Sequence, residues 1–140
     1  MKSYIIDASV VAKCFIAEDY SDKAMEIIDE HVKGRLLLSA PSLIVYELGN
    51  VFWRHPKIAA EKTYMFIERF LDLQIGLVDI WSDAKLLQNA CVTSKTRNLT
   101  FYDASYLSLA ERNGTKLITA DENLWNKAPN LVMPLKEFKI

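Results

Sequence analysis

Five short apolar runs alternate with longer helical segments along this chain, and that alternation constrains the fold more than any other feature. Each run is too short for a helix and is bounded by turn-forming or charged residues. The segments between them carry apolar residues near the 3.6-residue helical spacing. The pattern predicts an α/β fold with a central, mostly parallel five-stranded sheet. The predicted strands are residues 4–6, 36–38, 76–80, 116–119 and 131–133.

About seven helices are predicted to flank this sheet. Pro41 precedes one of them and Gly114 follows another, which are ordinary start and stop signals. No Gly-, Pro- or Ser-rich linker interrupts the 140 residues, so we expect a single domain over residues 1–140. The predicted helices are residues 8–17, 21–33, 42–54, 59–73, 82–96, 101–113 and 122–126.

Composition excludes several classes of protein and site. The apolar fraction of 51% is ample for a packed core, and the two cysteines and two histidines are isolated from one another. A structural zinc site is therefore not expected. The four glycines do not form a nucleotide-binding loop. No apolar stretch is long enough to span a membrane and the amino terminus lacks a signal-peptide pattern, so we expect a soluble cytoplasmic protein.

Two acidic residues directly follow predicted strands. Asp7 ends the first strand and Asp121 follows the fourth. In parallel sheets, ligands bind at the edge formed by the carboxyl ends of the strands. Both residues also precede helical segments, where Asp is a favoured N-cap, so a purely structural role stays open for each of them.

A third acid, Glu47, lies on a helix that is apolar around most of its circumference. Because successive helical residues turn by about 100°, Glu47, Asn50 and Arg54 fall in one narrow stripe. The stripe either is the single exposed edge of this helix or faces a polar cleft. In a cleft, a carboxylate beside apolar surface needs a cation or a hydrogen-bond donor to stay ionised.

A fourth acid, Asp103, begins another helix. Thr100 and Asp103 have the spacing of a capping box, which is the structural alternative. If all four acids met at one sheet edge they would repel one another strongly, and divalent cations would relieve that repulsion. An all-oxygen site favours Mg²⁺ or Mn²⁺ over Zn²⁺. A pair of such ions about 4 Å apart can activate water for phosphodiester hydrolysis.

Around these acids, four segments resemble the motifs of the PIN-domain ribonucleases, and within them the VapC-like toxins of prokaryotic toxin-antitoxin systems. The first pairs a strand-ending acid with a small residue and Ser, and the others surround Glu47, Asp103 and Asp121. Their order, spacing and the total length agree with the family. One departure is Cys14, where many relatives carry Trp. The four segments are residues 6–15, 46–50, 102–110 and 119–124.

This resemblance implies a Mg²⁺- or Mn²⁺-dependent endoribonuclease whose acidic catalytic pocket is formed by the four acids. Asp7 and Asp103 would be the principal metal ligands, with Glu47 and Asp121 completing the site directly or through water. The polar support would come from Ser9, Thr119 and Asn123. The family also implies a homodimer and inhibition by a VapB-like antitoxin.

The formal net charge of −1 is unusual for an RNA-binding protein, since phosphate contacts normally use clustered basic residues. Bound divalent ions would offset that charge. The basic residues that could flank the pocket, or could equally be ordinary solvated surface, are Lys13, Arg54, Lys95 and Arg97.

The helix over residues 59–73, together with Phe52 and Trp53, carries more apolar surface than a small sheet readily covers. This apolar surplus predicts a dimer contact, an antitoxin contact or both. The alternative is that these side chains are packed in the core. A dehalogenase-like hydrolase and a phosphoryl-transfer receiver also place Asp after the first strand. The hydrolase needs a second Asp where Ser9 stands, and the receiver needs an acid pair at the first strand, which is absent although Asp79 could supply its third-strand acid. A catalytically inactive PIN-fold binding module is the alternative that is hardest to separate from a nuclease, because the four motifs could be present only for their role in folding.

Overall fold

A five-stranded parallel sheet forms the centre of the molecule in the computed structural model, which describes all 140 residues. Its strands are β1 (Lys2–Ile6), β2 (Leu36–Pro41), β3 (Gly76–Val78), β4 (Leu117–Thr119) and β5 (Val132–Pro134). The strand order is β3-β2-β1-β4-β5 and every neighbouring pair is parallel. The predicted fold class is confirmed.

Seven α-helices connect and flank the strands, as the sequence predicts. Six of them begin and end within two residues of their predicted bounds, and the first does not. None of the seven has the length and apolar character that a bilayer crossing requires. The helices are α1 (Ala8–Val11), α2 (Ser21–Val32), α3 (Ile44–Arg54), α4 (Ala60–Asp72), α5 (Ala84–Arg97), α6 (Phe101–Arg112) and α7 (Glu122–Lys127).

The prediction of one long first helix over residues 8–17 is wrong. The α-helix ends at Val11, and the chain tightens into a single 3₁₀ turn over Ala12–Cys14. This turn brings the ring of Phe15 within 5.7 Å of Phe52 and 5.0 Å of Phe66. Packing of this aromatic cluster outweighs the local helical pattern, which alone would have carried the helix further.

The strand order places the carboxyl ends of β1 and β4 side by side at the middle of the sheet. In the β1–β4 pairing Ile6 lies opposite Ile118, so Asp7 and Thr119 emerge together at the same edge. Here the order of strands along the chain reverses, because β2 and β3 extend to one side of β1 while β4 and β5 extend to the other. Such a switch point is where ligands bind in open parallel sheets.

One histidine ties α2 to two neighbouring elements. His31 Nδ1 accepts a hydrogen bond from the Leu38 N–H at 3.1 Å, and Nε2 lies 3.1 Å from the Leu73 carbonyl oxygen, to which it donates as the neutral tautomer. We expect His31→Ala to lower the free energy of unfolding by about 1–2 kcal/mol, because both backbone groups lose their partner. Urea denaturation measures this loss. In the control, His55→Ala, only the N–H of Lys57 loses a partner, so an equal loss there would contradict the prediction.

Candidate active site

All four predicted acids line one cavity of about 310 Å³ at the carboxyl edge of the sheet, called here the acidic cavity. Asp7 follows β1 and Asp121 follows β4, while Glu47 and Asp103 lie in the first turns of α3 and α6. No ion pair in the structure involves any of the four carboxylates. The fold therefore gathers negative charge at its switch point, and no basic side chain is in ion-pair contact with these acids.

Asp7 is the most deeply placed of the four acids, with 6% of its surface exposed. Its Oδ1 accepts hydrogen bonds from the Ser9 hydroxyl at 2.5 Å and from the Val10 N–H at 3.3 Å. Its Oδ2 accepts a hydrogen bond from the Thr119 hydroxyl. Three donors from two elements thus fix the orientation of this carboxylate.

The same two hydroxyls also hold the loop that carries Asp121. The Ser9 Oγ accepts a hydrogen bond from the Ala120 N–H at 3.0 Å, and the Thr119 Oγ1 accepts one from the Asp121 N–H at 3.1 Å. Ser9 and Thr119 consequently link the carboxylate of Asp7 to the backbone of Asp121, which sets the separation of these two acids.

Burial raises the pKa of Asp7 from its ordinary 3.8 to about 6. Removal from water is the largest cause, and the charge of Glu47 adds to it. The hydrogen bonds from Ser9, Thr119 and Val10 lower the pKa but do not cancel the burial. An ionised Asp7 is therefore held at a cost to the fold, which a bound cation would remove.

Glu47 is positioned by Tyr106 of α6. The Tyr106 hydroxyl donates a hydrogen bond to Glu47 Oε1 at 2.6 Å, and the ring of Tyr106 is buried. Burial and the neighbouring charge of Glu47 raise the pKa of the phenol, so it stays protonated and remains a donor. Burial also raises the pKa of Glu47, and the charge of Asp103 raises it further.

Asp103 is half-buried, and its pKa is raised first by desolvation and then by the charge of Asp121. The four acids therefore form a chain of repelling neighbours that runs from Asp7 through Glu47 and Asp103 to Asp121. They do not form a finished metal centre, because no three of their side chains are positioned to hold one ion. A cation would have to draw the carboxylates together or bind them partly through water.

The helix-capping contacts that the sequence predicts are present together with the clustering of the four acids in one cavity. Thr100 Oγ1 accepts the Asp103 N–H at 3.1 Å, so it caps α6 through the backbone of Asp103. Asp121 Oδ1 caps α7 by accepting the Asn123 N–H at 2.9 Å. The two interpretations are not exclusive, since each acid also lines the acidic cavity.

The remaining predicted residues lie at different distances from the acids. The side chain of Asn123 is exposed and forms no hydrogen bond, so only its backbone contacts the site. Arg54 lines the acidic cavity, whereas Lys13 lines an adjoining cavity and lies 3.7 Å from Glu18. Lys95 and Arg97 line neither cavity, and Arg97 instead donates a hydrogen bond to a backbone carbonyl of α7.

Two features of the site do not follow from the sequence pattern, namely the contact made by Tyr106 and the exposure of α3. In the sequence Tyr106 looks like one more core residue of this helix. The one hint of a role in the site is its position one turn after Asp103 on the same face of α6. Tyr46 and Trp53 lie on the apolar circumference of α3, yet they are 81% and 76% exposed, and for Trp53 this agrees with the predicted contact surface. The buried face of α3 is a single row of Ile44, Leu48 and Phe52, so more of the helix faces outward than its composition predicts.

We expect Asp7→Asn to stabilise the metal-free protein at pH 7 by on the order of 2 kcal/mol. A pKa higher in the folded chain than in the unfolded chain means that ionisation opposes folding, with a cost that grows between about pH 4 and 6 and persists above. Asparagine removes the charge, although one of its polar atoms fits the hydroxyl donors less well. Urea denaturation in EDTA measures the change, and a loss of stability would contradict it.

A family model and two relatives identify the family of this chain. The family model described as PIN domain matches residues 4–130. Two Pyrobaculum aerophilum proteins are similar over nearly the whole chain. Ribonuclease VapC3 is 29% identical over 133 residues, covering 93% of this chain and 98% of that protein. Exonuclease VapC9 is 30% identical over 129 residues, covering 92% and 88%.

Solved structures share the fold at lower identity. The crystal structure of PAE2754 from Pyrobaculum aerophilum has a TM-score of 0.69 and 24% identity, covering 96% of this chain and 90% of that chain. The structure of VapBC2 from Rickettsia felis, bound to a DNA fragment from its promoter, has a TM-score of 0.67 and 16% identity, covering 94% and 98%. The resemblance inferred from the four motifs is confirmed: the chain belongs to the PIN-domain family and is similar in sequence to VapC proteins.

Proposed function

We propose that this protein is a divalent-metal-dependent endoribonuclease, a VapC-like toxin that hydrolyses RNA phosphodiester bonds with water. One observation carries the proposal: four carboxylates from four separate elements line a single cavity at the switch point of a parallel sheet. The names of the relatives, a ribonuclease VapC3 and an exonuclease VapC9, support nuclease chemistry. We take residues 1–140 as one nuclease domain that acts on RNA in the cytoplasm.

The residues present fit a hard divalent cation. The acidic cavity offers carboxylate and hydroxyl oxygens and no histidine or cysteine, which is the donor set that Mg²⁺ and Mn²⁺ prefer. Burial and mutual repulsion already raise the pKa of Asp7, Glu47 and Asp103, and a cation would relieve both effects. In this proposal Asp7 and Asp103 are the principal ligands, and Glu47 and Asp121 contribute directly or through water.

The protein's own groups would orient the reactants around such ions. When bound, the metal would make water a stronger nucleophile and stabilise charge on the phosphate. Ser9 and Thr119 hold the carboxylate of Asp7, and Tyr106 holds Oε1 of Glu47. Oε2 of Glu47 has no protein donor and can accept a hydrogen bond from the attacking water. Arg54 lies in the same cavity and can contact a phosphate.

The test is cleavage of a mixed RNA substrate by the purified protein, with Mg²⁺, with Mn²⁺ and with EDTA. We expect cleavage with either metal and none with EDTA. Sequencing of the new ends separates internal cuts from stepwise removal of terminal nucleotides, which the name of one relative raises. Absence of cleavage with both metals over a broad RNA pool would contradict the proposal.

A catalytically inactive PIN-fold binding module is the second candidate. The observation that favours it is the lack of any three side chains already positioned to hold a metal ion. A module of this kind should bind Mn²⁺ poorly, bind its ligand equally well with EDTA and leave RNA intact. Calorimetric titration with Mn²⁺ beside the cleavage assay separates the two candidates.

We also propose a VapB-like antitoxin and a second copy of this chain as partners. Two apolar surfaces support this. One groove between α2 and α4 is lined by Phe15, Met25, Val32 and Leu73, and its charged edge of Asp22, Glu26, Asp29 and Arg69 is acidic on balance, which would suit a basic apolar segment. Trp53, Tyr64 and Leu71 form exposed surface on α3 and α4, whereas Phe52, Phe66 and Phe70 are core. A monomer in sedimentation at micromolar concentration would remove the homodimer.

A further inference from the structure

A second cavity, of about 480 Å³, opens beside the acidic cavity. The two cavities share Glu47 and Asn50, so they adjoin along α3, and together they are called here the groove. Two tyrosines and one leucine complete the second cavity, which is called here the tyrosine pocket. Its lining residues are Leu43, Tyr46, Glu47, Asn50 and Tyr102.

The two tyrosine rings of this pocket have no protein partner. Tyr46 is 81% exposed and Tyr102 is 63% exposed, and neither packs against another aromatic ring or a cation. Their hydroxyls form no hydrogen bond, in contrast to those of Tyr64 and Tyr106. Each ring belongs to the residue immediately before an acid, Glu47 or Asp103. The aromatic faces are therefore available directly beside the acidic cavity.

One basic side chain lies along the groove and can meet a phosphate. Arg54 lies on α3 in the acidic cavity and forms no ion pair, so its guanidinium is free to contact a phosphate. The four carboxylates of the acidic cavity outnumber this one arginine, so binding of a polyanion here depends on the divalent cations of the proposed function.

We infer that the tyrosine pocket is a nucleobase subsite of the RNA substrate. One base stacks on Tyr46 and Tyr102 while the neighbouring phosphodiester lies in the acidic cavity and Arg54 contacts an adjacent phosphate. Aromatic side chains commonly hold unstacked bases of single-stranded RNA in this way, with little preference among bases. The inference rests on the proposed nuclease function. It identifies the substrate at this site as single-stranded RNA with at least one splayed base.

The experiment measures binding without cleavage. The probe is a fluorescein-labelled, mixed-sequence, single-stranded RNA of roughly ten nucleotides with nuclease-resistant phosphorothioate linkages. With Mg²⁺ present, fluorescence anisotropy should show that Tyr46→Ala and Tyr102→Ala each raise Kd by about tenfold, since one stacked base is lost. Tyr46→Phe should bind like the wild type, because the ring and not the hydroxyl makes the contact. Trp81→Ala removes an exposed aromatic outside the groove and should leave Kd unchanged.

A second measurement tests stacking directly. Single abasic nucleotides are placed at each position of one tightly bound probe. At the position that occupies the tyrosine pocket, the abasic site should itself weaken binding, and Tyr46→Ala should then add little further loss. Such non-additivity marks a direct contact between the ring and that base.

Three outcomes would overturn the subsite. Unchanged binding by both alanine variants would do so, and wild-type cleavage of RNA would show that the nuclease proposal still holds. A shift from dimer to monomer in Tyr46→Ala, with RNA binding unchanged, would make this surface a contact between copies of the chain. Failure of the wild type to bind any probe would also overturn it, while the cleavage assay decides the nuclease function separately.

Discussion

Asp103→Asn should reduce RNA cleavage by at least about 1000-fold while leaving the fold intact. The proposed metal contributes several kcal/mol of charge stabilisation to the transition state, and each 1.36 kcal/mol corresponds to a factor of ten in rate. Asparagine has nearly the same shape but no charge with which to retain a divalent ion. The helix cap survives, because the Thr100 hydroxyl accepts the backbone N–H of residue 103, which the substitution keeps.

Three measurements make this prediction specific. Mn²⁺ titration should show at least about tenfold weaker binding by Asp103→Asn, since loss of a ligand costs more than loss of its supporting contacts. Circular dichroism should match the wild type, and urea denaturation should show no loss of stability, since burial and the charge of Asp121 already oppose ionisation of Asp103. Asp72→Asn makes the same exchange at an exposed position of α4 outside the acidic cavity and should retain full activity. Retained cleavage by Asp103→Asn would remove this residue from the catalytic set.

The parts of the site that follow strands could be predicted from the sequence because the sheet is regular. Apolar runs define β1 and β4, and parallel pairing then brings Asp7 and Thr119 to the same edge, as the register of Ile6 with Ile118 shows. The helical acids Glu47 and Asp103 could be assigned to this edge through periodicity and family resemblance. Their actual approach depends on how α3 and α6 pack against the sheet, which no local pattern encodes.

The parts that could not be predicted depend on exposure and on long-range contacts. Tyr106 and Glu47 are 59 residues apart, and their hydrogen bond forms only after α3 and α6 have packed. Arg97 looks like a free basic residue in the sequence, yet it is engaged with the Lys127 carbonyl 30 residues away. Tyr46 faces outward because α3 needs only one narrow row of apolar side chains to contact the core.

Tyr106→Phe should lower the rate of RNA cleavage by roughly 10- to 100-fold, the range typical for residues that orient metal ligands or catalytic groups. The change removes one oxygen and leaves the buried ring in place. Glu47 then loses the 2.6 Å hydrogen bond that fixes Oε1. Because a donor to a carboxylate favours its ionised form, the pKa of Glu47 should rise further above its ordinary value. The acidic limb of the pH–rate profile should therefore move to higher pH.

The direction of that shift separates positioning from a merely structural role for Tyr106. A variant that only loosened packing would lower the rate at every pH without moving the limb. Tyr4→Phe is the matched control, because the Tyr4 ring packs against Phe138 and its hydroxyl forms no hydrogen bond. We expect that variant to keep both the rate and the profile. If Tyr106→Phe also kept the wild-type rate and pH profile, the hydrogen bond from Tyr106 would not be what positions Glu47 for the reaction.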